Sequence, residues 1–171
     1  MGIFKTKVAI IGRNAVGKTS CANRFTRNFF AQRYIATLGC DYYIKTVELD
    51  GSQYKLVIHD IGGQVEFDYL RKKHLENSDI VIIMFALDTP GSYDLSEFIE
   101  DLSAFKHRPL VAIAGNKLDT VDRQSLDLHV PERHSREQDA PMYLVSAKEN
   151  VNVRQMFMDM LERFAARRSN R

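Results

Sequence analysis

Eight residues near the start of the chain, GRNAVGKT (Gly12 to Thr19), set two glycines, a lysine and a threonine in the spacing G-x-x-x-x-G-K-[ST], with Ser20 next. Residues of these types at this spacing suit the holding of a phosphate chain. Gly12 and Gly17 allow a tight backbone path, and the N–H groups of Asn14, Ala15, Val16 and Gly17 can wrap phosphate oxygens. Lys18 reaches the β- and γ-phosphates, Thr19 offers a hydroxyl to Mg²⁺, and the Ser20 amide reaches the α-phosphate. Such a loop needs a strand before it and a helix after it, so that the helix N-terminus adds its partial positive charge. The apolar run KVAII (7–11) and the helical spacing over 18–28 supply both.

Three later segments sharpen the chemistry. LVIHDIGGQ ends a strand with Asp60, whose carboxylate can hold Mg²⁺ through water, and with Gly63, whose N–H can meet a γ-phosphate. VAIAGNKLD ends another with Asn116, Lys117 and Asp119. The two oxygens of Asp119 can accept from N1–H and the 2-amino group of guanine. Adenine offers neither donor, and a site whose hydrogen bonds go unmet discriminates strongly. LVSAK places Ser146, Ala147 and Lys148 over the base, with the Ala147 amide on guanine O6. Taken singly, NKLD or SAK reads equally well as a capped loop. In this order, each at the carboxyl end of a strand, they describe one ligand site, because open α/β sheets bind ligands there. The expected ligands are GTP or GDP with Mg²⁺.

The elements that must position these residues are legible as well. KVAII (7–11), YKLVIH (54–59), DIVIIMFAL (79–87), LVAIAG (110–115) and MYLVS (142–146) are mostly continuous apolar runs, the pattern of strands buried on both faces. Helical spacing recurs over 18–28, about 66–76, 92–105 and 151–167, the last with an apolar stripe from Val151 to Phe164. YYIKTVELDGSQYKLVIHD alternates on both sides of DGS and predicts an antiparallel hairpin. Residues 120–140 are polar and irregular and read as a helix plus loop at the surface. The expected architecture is α/β: a mostly parallel six-stranded sheet with one antiparallel edge strand, covered by helices on both faces.

With these segments in place, the chain resembles the Ras-like small GTPases over essentially its whole length. YIATLGCDYYIKTVELDG (34–51) is similar to the Rab branch. The resemblance implies a three-layer P-loop NTPase fold, the Ras-like G domain, as one domain over 1–171. It also implies roles by matching position. Thr37 would ligate Mg²⁺ and touch the γ-phosphate, Phe30 would stack on guanine, and Tyr34 would lie over the phosphates. Gln64 would orient the attacking water, making Gln64, Lys18 and Thr37 the residues of hydrolysis, with Thr19, Thr37 and Asp60 at the metal. Switch I would cover about 31–41 and switch II about 61–75, and through them effectors, an exchange factor and a GTPase-activating protein would bind. Hydrolysis without a partner would be slow. Arg13 and Arg33 lie near enough in sequence to supply an arginine in cis, or are simply solvated.

Departures from the family wording accompany the likeness. Asn14 stands where Ras carries glycine. Switch II reads DIGGQV where Rabs have DTAGQ, and its double glycine Gly62–Gly63 is similar to the Arf branch. His59 and His74 replace a tryptophan and a tyrosine of the Rab effector-facing aromatic group, while Tyr42 keeps the third position.

Bulk properties fit a cytosolic domain, expected to be monomeric. A net charge of +2 gives no long-range argument for nucleic acid, and the longest apolar run, IVIIMFAL, has eight residues, too few to span a bilayer. Cys21 and Cys40 without a CxxC pattern suggest a reducing compartment and packing roles. No cysteine follows Cys40, so prenylation is not supported by this sequence, and the expected location is cytoplasmic, or peripheral to a membrane if a lipid anchor lies outside this sequence. MGIFKT matches a myristoylation pattern at Gly2. Two rivals stay open: a scaffold that holds nucleotide permanently with little turnover, and a P-loop ATPase or small-molecule kinase, against which NKLD and SAK argue.

Overall fold

A two-residue turn fixes the one antiparallel pairing of the sheet. Asp50 and Gly51 both sit at positive φ (49° and 71°), the backbone that lets a right-twisted hairpin close in two residues. The turn joins β2 (Cys40–Leu49) to β3 (Ser52–Ile61) in a register running from Cys40 opposite Ile61 to Leu49 opposite Ser52. The computed structural model describes residues 2–31, 33, 36–63 and 68–169, without the side chains of 68 and 70.

Beyond the hairpin the chain builds parallel strands. β1 (Ile3–Gly12), β4 (Ile80–Ala86), β5 (Leu110–Asn116) and β6 (Met142–Leu144) join it in the order β2-β3-β1-β4-β5-β6. Five strands are parallel and the edge strand β2 is antiparallel. All seven residues of β4 are buried, which is why its sequence shows no polar alternation. One face carries α1 (Lys18–Arg27) and α5 (Val153–Ser169), whose Cys21, Ala22, Phe25, Met156, Phe157 and Leu161 pack on Ile10, Ile82 and Met84. The rings of Phe25 and Phe157 stack with centroids 4.0 Å apart and lock the two helices together. The other face carries α2 (Asp68–Leu75), α3 (Ser96–Ser103) and α4 (His129–Glu137), which cover Ile11, Ile83, Phe85 and Ile113. The expected three-layer α/β architecture is therefore the one observed.

Boundaries move where polar groups intervene. The segment 92–105 was expected to be helical throughout, yet α3 starts only at Ser96. A separate 3-10 turn, Pro90–Ser92, precedes it, held by Ser92 Oγ donating to Thr89 O (2.6 Å) and accepting from the Ala86 N–H (2.9 Å). β1 starts at Ile3, four residues before the apolar run, because Ile3 to Lys7 pair with Gln53 to Val57. The polar stretch 120–140 holds a 3-10 turn (Arg123–Ser125) and α4, which buries Pro131 and His134. Buried Arg71 of α2 pairs with buried Asp101 of α3 at 2.7 Å and fastens the two helices on that face. Among the described residues no helix is long and apolar enough to cross a membrane.

Candidate functional site

The residues singled out by spacing meet at the carboxyl ends of β1, β3 and β5. The loop between β1 and α1 turns sharply at Gly17, whose φ of +97° suits only glycine comfortably. A Cβ there would lie 2.1 Å from Asn116 Nδ2. Gly17 is also the N-cap of α1, and no side chain caps the helix there. Its first-turn N–H groups thus face the loop, and no acidic residue of the first turn competes for them.

Lys18, 6% exposed, turns its ammonium into the loop and donates to Gly12 O (2.9 Å) and Arg13 O (2.8 Å). Burial lowers its pKa to about 8, partly offset by the Asp60 carboxylate. Beside it, Thr19 Oγ1 lies 2.8 Å from Thr37 Oγ1 and donates to Asp60 Oδ2 at 2.5 Å. Asp60 is fully buried, and burial raises its pKa against the opposing pull of the Thr19 hydroxyl and Lys18. Its Oδ1 is buried without a hydrogen-bond partner. A buried carboxylate with one idle oxygen, ringed by two hydroxyls, is an all-oxygen donor set. That chemistry fits Mg²⁺ and not a thiophilic metal.

Gly63 closes the phosphate end. A Cβ there would stand 2.6 Å from Gly12 O and 2.7 Å from Asn14 N, so only glycine lets the strand β3 exit lie against the loop. The neighbouring Gly62 does the same toward the Thr37 segment. Its N–H donates to Gly39 O at 2.8 Å, and a Cβ would fall 2.6 Å from Thr37 O. The departure from the Rab alanine thus has a steric meaning: the Thr37 backbone sits where an alanine methyl would be.

The base end is a hydrogen-bonded frame. Asn116, 3% exposed, donates from Nδ2 to Val16 O (3.0 Å) and accepts the Ala147 N–H on Oδ1 (3.1 Å). One side chain therefore ties the phosphate loop to the loop after β6. Asp119 Oδ1 accepts from Ser146 Oγ at 2.5 Å, and Lys148 Nζ stands 3.9 Å from Asp119 Oδ2. Ser146 and Val151 exchange backbone hydrogen bonds (3.1 and 3.0 Å), which is why α5 begins two residues later than its apolar stripe. Lys117, at φ 67°, reaches Asp88 with both oxygens at 3.2 Å.

Two adjoining clefts run along this frame. One of about 220 Å³ is lined by Asn14, Lys18, Thr19, Thr37 and Gly63 among others. The second, about 330 Å³, is lined by Phe30, Asn116, Lys117, Asp119, Ala147 and Lys148, and shares Ala15, Gly17 and Ser20 with the first. Exposed Arg33 also lines both. Gln64 and Tyr34 lie outside the described residues.

Sequence reasoning missed Arg24. From α1 it donates to Ala147 O (2.7 Å) and Lys148 O (2.8 Å), so it holds the SAK loop over the cleft. Its partners lie more than 120 residues away and its helical position is ordinary, so no local pattern marks it. Asp88, the partner of Lys117, was likewise unmarked.

Comparison with known proteins agrees with this arrangement. The Ras family profile matches residues 7–166. Ras-related protein Rab-30 of Homo sapiens is 31% identical over 159 residues, covering 92% of this chain and 78% of that protein. Ras-related protein Rab-1C of Dictyostelium discoideum is 30% identical over 156 residues, 90% of this chain and 78% of its own length. GTP-binding protein ypt1 of Schizosaccharomyces pombe is 29% identical over 169 residues, covering 96% and 82% respectively.

Proposed function

We propose that this chain, which belongs to the Ras family, is a Rab-like GTP/GDP switch that hydrolyses GTP slowly by itself and binds partners through its two switch segments. The observation that carries this reading is the pair of joined clefts, with Lys18 and the Thr19–Asp60–Thr37 oxygens at one end and Asn116 and Asp119 at the other. Their spacing along one groove suits phosphates at the first end and a base at the second.

The chain's own groups have distinct tasks in this reading. The uncapped first turn of α1 and the amides of residues 14 to 20 take the phosphate oxygens, with Lys18 adding positive charge. Thr19, Thr37 and Asp60 would hold Mg²⁺, whose charge, when bound, offsets that of the β- and γ-phosphates. Asp119, held by Ser146, reads the N1–H and 2-amino group of guanine, and Asn116 ties the phosphate loop to Ala147 beside that serine. Gln64 orients the water. Loss of the γ-phosphate releases the Thr37 and Gly63 segments, and effectors, an exchange factor and an activating protein read the change. Membrane traffic or a related signalling process is the setting that the Rab likeness supports.

A competition experiment tests the reading. GDP should displace a fluorescent guanine nucleotide at least ~100-fold better than ADP does. Equal displacement by ADP would contradict the role of Asp119 and return the ATPase reading to consideration.

A further inference from the structure

The departures at 59 and 74 bring two histidines to a cysteine. Cys40 opens β2, His59 lies on β3 opposite Tyr42, and His74 lies in the last turn of α2. One ligand atom from each (the Cys40 thiol and one ring nitrogen of each histidine) lies within 4.8 Å of the other two. All three side chains are half-buried. His59 Nδ1 is buried and has no hydrogen-bond partner.

We propose that Cys40, His59 and His74 form a three-ligand Zn²⁺ site that bridges the end of switch I to the helix of switch II. The donor set carries the assignment. One thiolate and two imidazoles are borderline-soft ligands that select zinc over Mg²⁺, whereas the Thr19–Thr37–Asp60 cluster is all oxygen. Zn–S of about 2.3 Å and Zn–N of about 2.0 Å put ligand atoms about 3.5 Å apart in a tetrahedron, so atoms that lie within 4.8 Å of one another draw together to bind the ion. The fourth position falls to water.

The surroundings bear on affinity in both directions. The Tyr42 hydroxyl, 3.2 Å from His74 Nδ1, is the kind of outer partner that fixes a ligating imidazole. The Tyr42 and His59 rings meet edge-on at 4.7 Å, which holds the second imidazole in place. Burial keeps His59 neutral, with its pKa near 4, but pushes the Cys40 thiol up to about 11, so the metal must displace that proton. The ammonium of Lys7 on β1 favours the thiolate while opposing the dication; the Asp60 and Asp41 carboxylates beside Cys40 add negative charge.

Cys40 follows Gly39, whose carbonyl accepts from the Gly62 N–H, and pairs with Ile61 at the end of β3. A bound ion would therefore clamp α2 to the β2–β3 edge beside Thr37. That consequence for the switch rests on the reading proposed above, whereas the metal site does not.

The test uses the full chain, loaded with GDP and excess Mg²⁺ and titrated with Zn²⁺ under reducing conditions. One equivalent should bind, and Cys40→Ser and His74→Phe should each weaken it by roughly tenfold or more. Co²⁺ in place of Zn²⁺ should give a thiolate-to-metal charge-transfer band in the wild type that Cys40→Ser abolishes. His59→Phe and His74→Phe keep a ring against Tyr42, so their loss of metal is separable from loss of packing. Absence of the cobalt band from folded wild-type protein, or equal zinc affinity in wild type and variants, would overturn the proposal. The cobalt signature does not depend on retained nucleotide, so failure of the switch reading and failure of the metal site are told apart.

Discussion

The base end and the switch face of the groove are built by opposite means. At the base end, buried Asn116 and Ser146 and half-buried Arg24 join segments far apart in sequence. Asn116 bridges Val16 and Ala147, Ser146 holds Asp119, and Arg24 holds the two carbonyls of the SAK loop. At the switch face the contacts are close backbone approaches with few side-chain ties. Gly62 and Gly63 lie against Thr37 and the phosphate loop, and the Thr19–Thr37–Asp60 hydroxyl and carboxylate oxygens hold the rest. A frame of buried hydrogen bonds resists change because each unmade bond costs about 1–3 kcal/mol. A face held by close approaches and a few hydroxyl contacts yields when one neighbour is withdrawn, which is what a switch requires.

The largest effects should come from the phosphate end, which both regions share. Lys18→Ala or Thr19→Asn should reduce GTP affinity by three orders of magnitude or more, on the order of 4 kcal/mol. Retention of normal affinity in both would separate the loop from nucleotide binding. Next is Asn116→Ala, which leaves Val16 O and the Ala147 N–H without partners; a loss of ~2–5 kcal/mol in unfolding free energy, read by urea denaturation, is expected. Less than 1 kcal/mol would mean that the base end is not a rigid frame. Arg24→Ala should cost less stability, ~1–3 kcal/mol, and raise the nucleotide dissociation rate, since it frees the Ala147 and Lys148 carbonyls. Gly62→Ala probes the other region. It should displace the Thr37 backbone and weaken GTP relative to GDP by roughly fivefold, about 1 kcal/mol, while leaving stability in urea nearly unchanged. An equal loss for both nucleotides would show that the contact serves packing and not the switch.

The two regions were unequally legible in the sequence. The phosphate loop and the base end were readable because backbone and hydrogen-bond geometry there admit few residue types: glycine at position 17, Asn at 116, Asp at 119. The strands were readable for the same reason, as β4 is buried on both faces and the Asp50–Gly51 turn needs positive φ. What escaped were ties whose partners are remote, Arg24 to the SAK loop and Lys117 to Asp88, because neither leaves a local pattern. At the switch face the sequence shows departures without their meaning. The steric role of Gly62 and the convergence of Cys40, His59 and His74 depend on register across β2 and β3 and on where α2 comes to rest.

Single-turnover hydrolysis of GTP by the purified chain with Mg²⁺, after chromatographic identification of the nucleotide it carries, tests the central claim most directly. Bound GDP and slow conversion of added GTP, slower still in Gln64→Leu, is the predicted result. Retained GTP with no hydrolysis over hours would contradict a working switch and leave a nucleotide-bound scaffold.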